Sequence, residues 1–441
     1  MERLRKLIGV VADDITGGND IGIMFAKNGL VTEVYRYQKD MEFEASGDVD
    51  VIIIDTDSRF DKPEVAAEKV YNSTKSLMKI PCDMYFNKTC SVFRGNIGVE
   101  FDAMQEALGI NKSVVILGFP ANGRATKNGL HYVNGVLLEN SQFANDPIHP
   151  MKESNLVKIL GAQTDKPVGF IPYDIVKQGK EALKINIEEM KKEYSYIILD
   201  VIGQEDLRII AESVKDEINL CGSSAIAEEL PKAFGNSKEL KLEEGVYSSI
   251  DKNGVLTLAG SLTPQTLEQI NYLKEVGVET IEFDTLIIYD EEDYAKAIKE
   301  IAAIAIKTVS QGKDILIHTS NDREVIRKTK EFGYQLGLKD NEIGKKISAA
   351  LTAIVEEVYK ATGLRKIVVA GGDTSEAVSE GLNVEKMRII EEIEPGLPNM
   401  FGYNSNERLL MVLKSGSFGT KEFLKKAIDN LKFLEERLCR R

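Results

Sequence analysis

The sequence predicts an α/β protein made of two α/β domains with mainly parallel sheets and a ligand cleft between them. Short apolar, β-branched runs alternate with longer amphipathic stretches, which is typical of buried parallel strands joined by helices. The alternation stops once, in a polar stretch, and then resumes. With 441 residues, the chain has the length of two or three ordinary domains.

The first predicted domain covers residues 1–235. Its clearest strands are LIGVV (7–11), VIIID (51–55), SVVILGF (113–119) and YIILDV (196–201). Amphipathic stretches between them predict helices at 19–30, 97–109 and 205–218. Residues 236–254 are rich in charge, Gly and Ser, and predict a linker.

The second predicted domain covers residues 255–441. Its predicted strands are 255–260, 281–288, 314–319, 366–371, 387–393 and 409–416. Predicted helices separate most of them, at 263–276, 291–311, 342–361 and 420–438. No internal repeat interrupts this order, so a second doubly wound α/β domain is expected.

Composition excludes several classes of protein. Lys and Arg total 56 against 70 Asp and Glu, and a net charge of −14 argues against nucleic acid as a partner. No apolar run approaches the roughly 18 residues of a membrane span, and the N-terminus lacks a signal peptide pattern. Four Cys without CxxC spacing and three scattered His provide no zinc framework. We therefore expect a soluble, cytoplasmic protein, with the metal ligands unknown.

Charged side chains follow the strands of the first domain. In open α/β sheets ligands bind beyond the carboxyl ends of strands. The residues found there are Asp13 and Asp14 after the first strand, Arg59 after the second, Lys88, Arg94 and Asn96 after the strand near 84–87, and Arg124 after the strand at 113–117. Arginine binds a carboxylate through its planar fork, and aspartate accepts hydrogen bonds from hydroxyls or deprotonates an alcohol. A small polyhydroxy acid has a carboxylate for the arginines and hydroxyls for the aspartates. The alternative is that these residues only cap helices and pair with one another.

Glycine-containing turns follow three strands of the second domain. The segment 370–377 contains Gly371 and Gly372, which allow close backbone approach, and Thr374 or Ser375 can cap the next helix. Similar turns occur at 258–264 and 414–419. Three such turns on one sheet suggest a site for nucleotide phosphates, although each alone could be an ordinary β–α turn. GxxxxGK[ST] and GxGxxG motifs are both missing from the sequence, which argues against the common nucleotide folds.

Other residues carry weaker signals. His131 and His149 lie in loop-like segments and are interpreted as structural. Cys90 has the cationic neighbours Lys88 and Arg94 but no partner histidine nearby, so it is interpreted as packing or pocket lining. The segment 391–398 reads as a rigid loop, or alternatively as a contact for a nucleotide base or Mg²⁺.

Eight motifs in order resemble those of the four-carbon acid sugar kinase family, over nearly the whole chain. They lie at 9–22, 55–59, 88–96, 120–135, 222–227, 260–266, 371–375 and 414–419. Members of that family phosphorylate D-threonate, D-erythronate or 3-oxo-tetronates with ATP, using an N-terminal acid-sugar domain and a C-terminal nucleotide domain. The resemblance implies that ATP meets Ser261, Gly371, Gly372, Asp373, Thr374 and Gly416. It implies that the sugar acid meets Asp13, Asp14, Arg59, Lys88, Arg94 and Asn96.

One motif departs from the family pattern. Where the family usually has Asp-Ser-Thr, this chain has Cys90-Ser91-Val92, and so lacks a carboxylate and a hydroxyl in the presumed substrate loop. The identity of the acid sugar is therefore open. Substrate differences are expected to centre on Cys90 and Arg124.

The expected reaction is transfer of the γ-phosphoryl group of ATP, with Mg²⁺, to the terminal C4 hydroxyl of the acid. Asp14 or Asp13 is expected to orient or deprotonate that hydroxyl, and Lys88 and Arg94 to pair with the carboxylate or the transferring phosphate. Two alternatives are a kinase for a sugar or hydroxy acid of another length and a non-catalytic nucleotide or metabolite sensor. A homodimer is the expected assembly.

Overall fold

The structure is a computed structural model that describes residues 6–42, 48–146, 149–235, 246–405 and 407–439. The chain forms two compact units, Met1–Leu240 and Lys241–Arg441. The boundary between them falls within the stretch predicted as a linker, 236–254, of which residues 236–245 lie outside the described residues. The predicted α/β class with mainly parallel strands is confirmed in both units.

The first unit is a parallel sheet flanked by helices. Its main-sheet strands are β1 (Ile8–Ala12), β2 (Thr32–Arg36), β3 (Val51–Asp55), β4 (Met84–Lys88) and β5 (Ser113–Ile116), and a separate sheet has β6 (Arg124–Lys127), β7 (Leu130–Val133) and β8 (Val136–Leu137). The main sheet is completed by β9 (Val168–Ile171), β10 (Tyr196–Leu199) and β11 (Asn219–Gly222). The main sheet has the order β2-β3-β1-β4-β11-β5-β10-β9. Strand order reverses at β1, which is where doubly wound sheets bind ligands.

Helices connect these strands as the apolar periodicity requires. They are α1 (Ile15–Ala26), α2 (Pro63–Met78), α3 (Ile97–Leu108), α4 (Leu156–Gly161), α5 (Tyr173–Val176), α6 (Lys180–Met190), α7 (Gln204–Val214) and α8 (Leu230–Ala233). The strands β1, β3 and β4 are buried along their whole length, because helices cover both faces of the sheet. The register places Ala12 beside both Asp55 and Lys88, so the turns that follow these three strands start side by side.

The second unit has a mixed sheet. Its strands are β12 (Leu256–Ala259), β13 (Glu279–Phe283), β14 (Ile315–Thr319), β15 (Lys366–Ala370), β16 (Lys386–Glu394), β17 (Leu397–Tyr403) and β18 (Arg408–Lys414). Its helices are α9 (Pro264–Glu275), α10 (Glu291–Ser310), α11 (Arg323–Gln335), α12 (Asp340–Thr362), α13 (Gly372–Gly381) and α14 (Phe423–Cys439). In the order β13-β14-β12-β15-β18-β17-β16, only β17 runs antiparallel to its neighbours. Ala259, Ala370 and Lys414 are adjacent in register.

Several elements differ from the sequence prediction. The run at 281–288 is not one strand, because β13 ends at Phe283 and a 3₁₀ turn follows over Thr285–Tyr289. The segment 391–398 is not a simple loop: it is the end of a β-hairpin between β16 and β17, with Gly396 at φ 75° in the turn. The helix α11 and the hairpin strands β6–β8 were not predicted at all. None of the helices in the described ranges is long and apolar enough to cross a membrane.

A buried ion cluster holds the start of the second unit to its sheet. Lys366 Nζ lies 2.7 Å from Glu435 Oε2 and 3.0 Å from the carbonyl oxygen of Asp251. Glu435 also pairs with Arg365 at 2.8 Å and accepts a hydrogen bond from the backbone nitrogen of Asp251. Because Glu435 and Lys366 are almost fully buried, neither charge has water to replace its partner.

Glu435→Gln is expected to lower the free energy of unfolding by about 3 kcal/mol, because it leaves Lys366 and Arg365 without their shared buried counter-charge. Urea unfolding followed by circular dichroism measures this. The matched control is Glu324→Gln, which removes an exposed partner of Arg327 on α11 and should change stability by less than about 1 kcal/mol. Equal effects of the two substitutions would contradict this assignment.

Candidate active site

A bidentate ion pair between Arg59 and Asp13 joins the segments that follow β3 and β1. Arg59 donates to Asp13 through Nε and Nη2, each at 2.8 Å, and both side chains are buried. The carbonyl oxygen of Asp13 in turn accepts from the backbone nitrogens of Ser58 and Arg59. The fork geometry of arginine therefore fixes the turn after β3 against the end of β1.

Asp14 begins α1 and shares the same arginine. Its Oδ1 accepts from the backbone nitrogen of Gly17 at 2.5 Å and from the hydroxyl of Thr16, which is the arrangement of a helix N-cap. Its Oδ2 contacts Arg59 Nη1. Burial acts to raise the pKa of Asp14, but the charges of Arg59 and Lys88 and the Gly17 hydrogen bond outweigh it, and the pKa lies below its ordinary value.

Lys88 completes this cluster from the end of β4. A Cβ placed on Gly17 would lie 2.8 Å from Asp14 Oδ1 and 3.0 Å from Lys88 Nζ, so carboxylate and ammonium meet beside a position that only glycine fits. The ammonium of Lys88 is buried and donates to the carbonyl of Thr89 at 3.0 Å. The structure thus brings Asp13, Asp14, Arg59 and Lys88 together.

Asn96 supports the turn that carries Arg59. Its Nδ2 donates to the carbonyl oxygens of Ser58 at 2.9 Å and Asp61 at 3.0 Å. Below the same turn, Ser58 donates to Glu100 at 2.7 Å, and burial together with the charge of Asp13 raises the pKa of Glu100 to about 8. Sequence reasoning missed Glu100, which lies inside a helix and not after a strand. At neutral pH this pKa favours a neutral Glu100.

Arg94 and Arg124 both lie close to the ring of Phe143. Their guanidinium carbons are 5.5 and 5.9 Å from the centre of the Phe143 ring. Arg94 also pairs with Asp146 at 2.6 Å, and Arg124 donates to the carbonyl of Asn122. Burial lowers the pKa of Arg124. Aromatic and local contacts thus help to hold these two arginines, and the charge of Arg94 also acts on Asp14 and Cys90.

Cys90 lies among the arginines. Its backbone nitrogen donates to Asp13 Oδ2 at 3.3 Å. Burial raises the pKa of its thiol, but the charges of Arg94 and Arg59 lower it more, and the pKa ends below its ordinary value. The thiol is thus electrostatically part of the cluster, and Arg94, one of the two cationic neighbours noted in the sequence, contributes to the lowering.

Asp20 is a second residue that sequence reasoning left out. It lies on the second turn of α1, is 5% exposed, and accepts a hydrogen bond from Ser224 Oγ at 2.5 Å. Burial raises its pKa to about 6, against the lowering influence of Lys88 and the Ser224 hydrogen bond. Helical spacing does not single it out, because six residues separate Asp20 from Asp14 and same-face spacings are three, four or seven. Its partner Ser224 belongs to the turn after β11, so only the tertiary structure reveals the contact.

The histidines are structural, as predicted, although His131 lies in β7 and not in a loop. It is fully buried, its Nδ1 is 3.2 Å from Thr126 Oγ1, and burial lowers its pKa to about 3, so it is neutral. His149 stacks on Phe60 with ring centres 5.5 Å apart, and burial lowers its pKa. Neither is arranged as an acid or a base for this cluster.

In the second unit, the three predicted turns meet. A Cβ on Gly371 would lie 3.2 Å from Thr374 Oγ1 and 3.3 Å from the backbone nitrogen of Ser261. A Cβ on Gly416 would collide with Ser261 Oγ. The turns after β12, β15 and β18 therefore pack with their backbones in contact, which we call the glycine cradle (residues 260–263, 371–374 and 415–416).

The open part of the glycine cradle lies at the start of α13. A Cβ on Gly372 would meet nothing within 4 Å, and Asp373 in the first turn is exposed. Gly371, with φ 128°, leads into this helix, whose N-terminal backbone N–H groups favour an anion. Among the described residues, no group of three or more His, Cys, Asp or Glu side chains could hold a metal ion by itself.

A buried lysine lies under the glycine cradle. Lys414 Nζ is fully buried and donates to Thr266 Oγ1, the carbonyl of Ser415 and the carbonyl of Gly416, at 2.8–2.9 Å. All three partners are neutral, and burial lowers its pKa to about 7. Lys414 is the first residue of the turn predicted at 414–419, but the sequence analysis does not name it as a candidate site residue.

Comparison with known proteins gives matches to both units. A family model described as a sugar-binding N-terminal domain matches residues 8–230, and one described as a nucleotide-binding C-terminal domain matches residues 256–424. The chain is 32% identical to a 3-oxo-tetronate kinase of Pseudomonas fluorescens over 97% of each chain. It is 28% identical to a D-threonate kinase of Salmonella typhimurium over 98% of this chain and 99% of that one. A solved structure from Salmonella typhimurium LT2 is similar with a TM-score of 0.81 and 25% identity, covering 96% of this chain and 99% of that chain.

Arg59→Gln is expected to lower the free energy of unfolding by about 3 kcal/mol or more at pH 7, since two carboxylates lose their buried partner. Without Arg59, the pKa of Asp14 should be higher than in the parent chain, because Arg59 is the first of the charges that lower it. The variant then takes up this proton at a higher pH than the parent chain does, so its deficit relative to the parent chain should shrink as the pH falls from 7 toward 4. Urea unfolding at several pH values measures this, with Arg208→Gln, in an exposed pair with Glu205, as the control. A deficit that does not change with pH would contradict the interpretation.

Proposed function

The chain belongs to the four-carbon acid sugar kinase family, and we propose that it transfers the γ-phosphoryl group of ATP to the C4 hydroxyl of a four-carbon sugar acid. D-threonate, D-erythronate and 3-oxo-tetronates are the candidate substrates. The single observation that carries the proposal is the buried cluster of Asp13, Asp14, Arg59 and Lys88 at the carboxyl ends of β1, β3 and β4. This cluster lies in the unit that matches a sugar-binding domain.

Cations in the first unit suit an anionic substrate. Lys88, Arg94 and Arg124 are our candidates for contact with the sugar carboxylate and the transferring phosphate, because guanidinium and ammonium groups bind these anions directly. Arg59 and Asn96 act on the substrate through the turn that they stabilise. Asp13 and Asp14 contribute negative charge and orientation, since their oxygens are already held by Arg59, by Cys90 N–H and by the start of α1.

The glycine cradle suits the phosphates of ATP. Ser261, Gly371, Gly372, Thr374 and Gly416 lie at the turns that meet beside the start of α13, where the first N–H groups of a helix favour an anion. Mg²⁺ would neutralise charge on the phosphates, and it prefers carboxylate oxygen combined with phosphate oxygen. Asp373 is the carboxylate of the cradle that fits such an ion. A reaction that consumes ATP is consistent with a cytoplasmic location, which we include in the proposal.

The proposal is tested by incubating the purified chain with ATP and Mg²⁺ against D- and L-threonate, D- and L-erythronate, their 3-oxo forms, and five- and six-carbon acids. ADP release reports turnover, and ³¹P NMR coupling to a methylene group identifies phosphorylation at C4. We expect one four-carbon acid to react far better than the others. The Cys90-Ser91-Val92 segment is the part of the site most able to change which one.

Other outcomes separate the alternatives. Turnover of longer acids alone would retain the kinase assignment and overturn the substrate class. ATP binding without turnover of any acid would favour a nucleotide or metabolite sensor.

Lys414→Met is expected to raise the KM for ATP by about 10-fold, because it removes a buried positive charge beneath the glycine cradle that would attract the phosphates through the turn it supports. The KM for the sugar acid should stay unchanged. Because burial lowers the pKa of Lys414 to about 7, ATP affinity of the parent chain should fall as the pH rises through 7, and the variant should lose that dependence. Lys425→Met, on the exposed side of α14, is the control. An unchanged KM for ATP in a folded Lys414→Met variant would contradict the role of this lysine.

A further inference from the structure

Asp20 has a buried carboxylate oxygen that the fold does not use. Its Oδ2 accepts from Ser224 Oγ at 2.5 Å. Its Oδ1 is buried and has no hydrogen-bond partner among the described residues. A buried polar atom without a partner costs free energy, so such atoms in native proteins commonly serve a ligand or a reaction.

The two neighbouring aspartates are in a different state. Asp13 accepts from Arg59 on both of its oxygens, and Asp14 accepts from the start of α1 on one oxygen and from Arg59 on the other. A carboxylate held in this way by a guanidinium is a poor proton acceptor, because protonation would break the ion pair. Asp20 lacks such a pair, so it is the carboxylate of the three that is best able to take up a proton.

The groups that shift the pKa of Asp20 lie on or next to four elements. Lys88 at the end of β4 and Arg124 at the start of β6 favour its ionised form, as does the Ser224 hydroxyl beyond β11, whereas burial and the charge of Asp14 on α1 oppose it. The balance raises its pKa to about 6. A group with this pKa is mostly ionised at neutral pH and still basic enough to accept a proton from an alcohol as that alcohol reacts.

We propose that Asp20 is the catalytic residue that accepts the proton of the attacking hydroxyl, and that Ser224 positions it by holding its second oxygen. This inference rests on the proposed kinase function. The substrate O–H bond breaks and its proton moves to Asp20 Oδ1, while the oxygen electron pair forms the new bond to the γ-phosphorus. The bond from that phosphorus to the β,γ-bridging oxygen breaks, and ADP leaves with the electron pair. Asp20 then releases the proton to solvent.

The test compares kcat and its pH dependence for the parent chain, Asp20→Asn and Ser224→Ala, using the acid that reacts best. In the parent chain, activity should rise with pH through about 6 and then level off, because the base must be ionised. Asp20→Asn keeps the size of the side chain and should lower kcat by about 100-fold or more, the usual contribution of a general base. It should remove the rise with pH while ADP binding, measured by calorimetry, stays unchanged.

Ser224→Ala provides the second readout. The Ser224 hydrogen bond lowers the pKa of Asp20, so its removal should move the rise in activity to higher pH, and the loss of positioning should lower the plateau less than Asp20→Asn does. Asp174→Asn, at an exposed position paired with Lys177, is the matched control and should leave the profile unchanged. If Asp20→Asn does not fold, the shift in Ser224→Ala decides the question.

The experiments distinguish a failure of the role proposed for Asp20 from a failure of the proposed kinase function. An Asp20→Asn variant that keeps kcat and its pH profile, or a Ser224→Ala profile that does not move, overturns the role of Asp20 and leaves the kinase function intact. A parent chain that phosphorylates none of the acids overturns the proposed function, and the role of Asp20 falls with it.

Discussion

The buried pair between Arg59 and Asp13 is the interaction on which the first unit's site depends. Two charges cannot stay out of water unless each satisfies the other, and the fork of Arg59 does this for Asp13 while also reaching Asp14. The same arginine lies on the turn that Asn96 and Ser58 hold in place. The cations and carboxylates of this cluster are consequently held in place by one another, and preorganised groups reduce the ordering that binding a ligand costs.

The three acidic residues near this pair differ in whether both of their oxygens have partners. Both oxygens of Asp13 and of Asp14 are engaged by Arg59 and by the start of α1. Asp20 keeps one oxygen without a partner among the described residues, in a buried place where its pKa lies near 6. The three carboxylates between residues 13 and 20 thus differ in their hydrogen-bond partners. Their different surroundings are the basis for proposing an acid–base role for only one of them.

In the second unit, packed turns position backbone groups, whereas in the first unit ion pairs position side chains. Three strands that are adjacent in register each end in a turn, and close packing at Gly371 and Gly416 brings those turns into contact. Lys414 supplies positive charge from below through neutral oxygens only. An anion above the glycine cradle is the natural complement of a buried ammonium that has no acidic partner among its hydrogen bonds.

The sequence by itself determined the α/β class, most strands and the strand-end positions of the charged and glycine-rich turns, because apolar periodicity and turn chemistry are local signals. It did not reveal the pairing of β16 with β17, which tertiary contacts decide, and α11 was not assigned although its sequence is amphipathic. The identities of Asp13, Arg59 and Lys88 as candidates were also visible in the sequence. Only the tertiary structure decided which carboxylates are occupied, because Asp20 and Ser224 lie 204 positions apart and their contact depends on how the strands are ordered in the sheet.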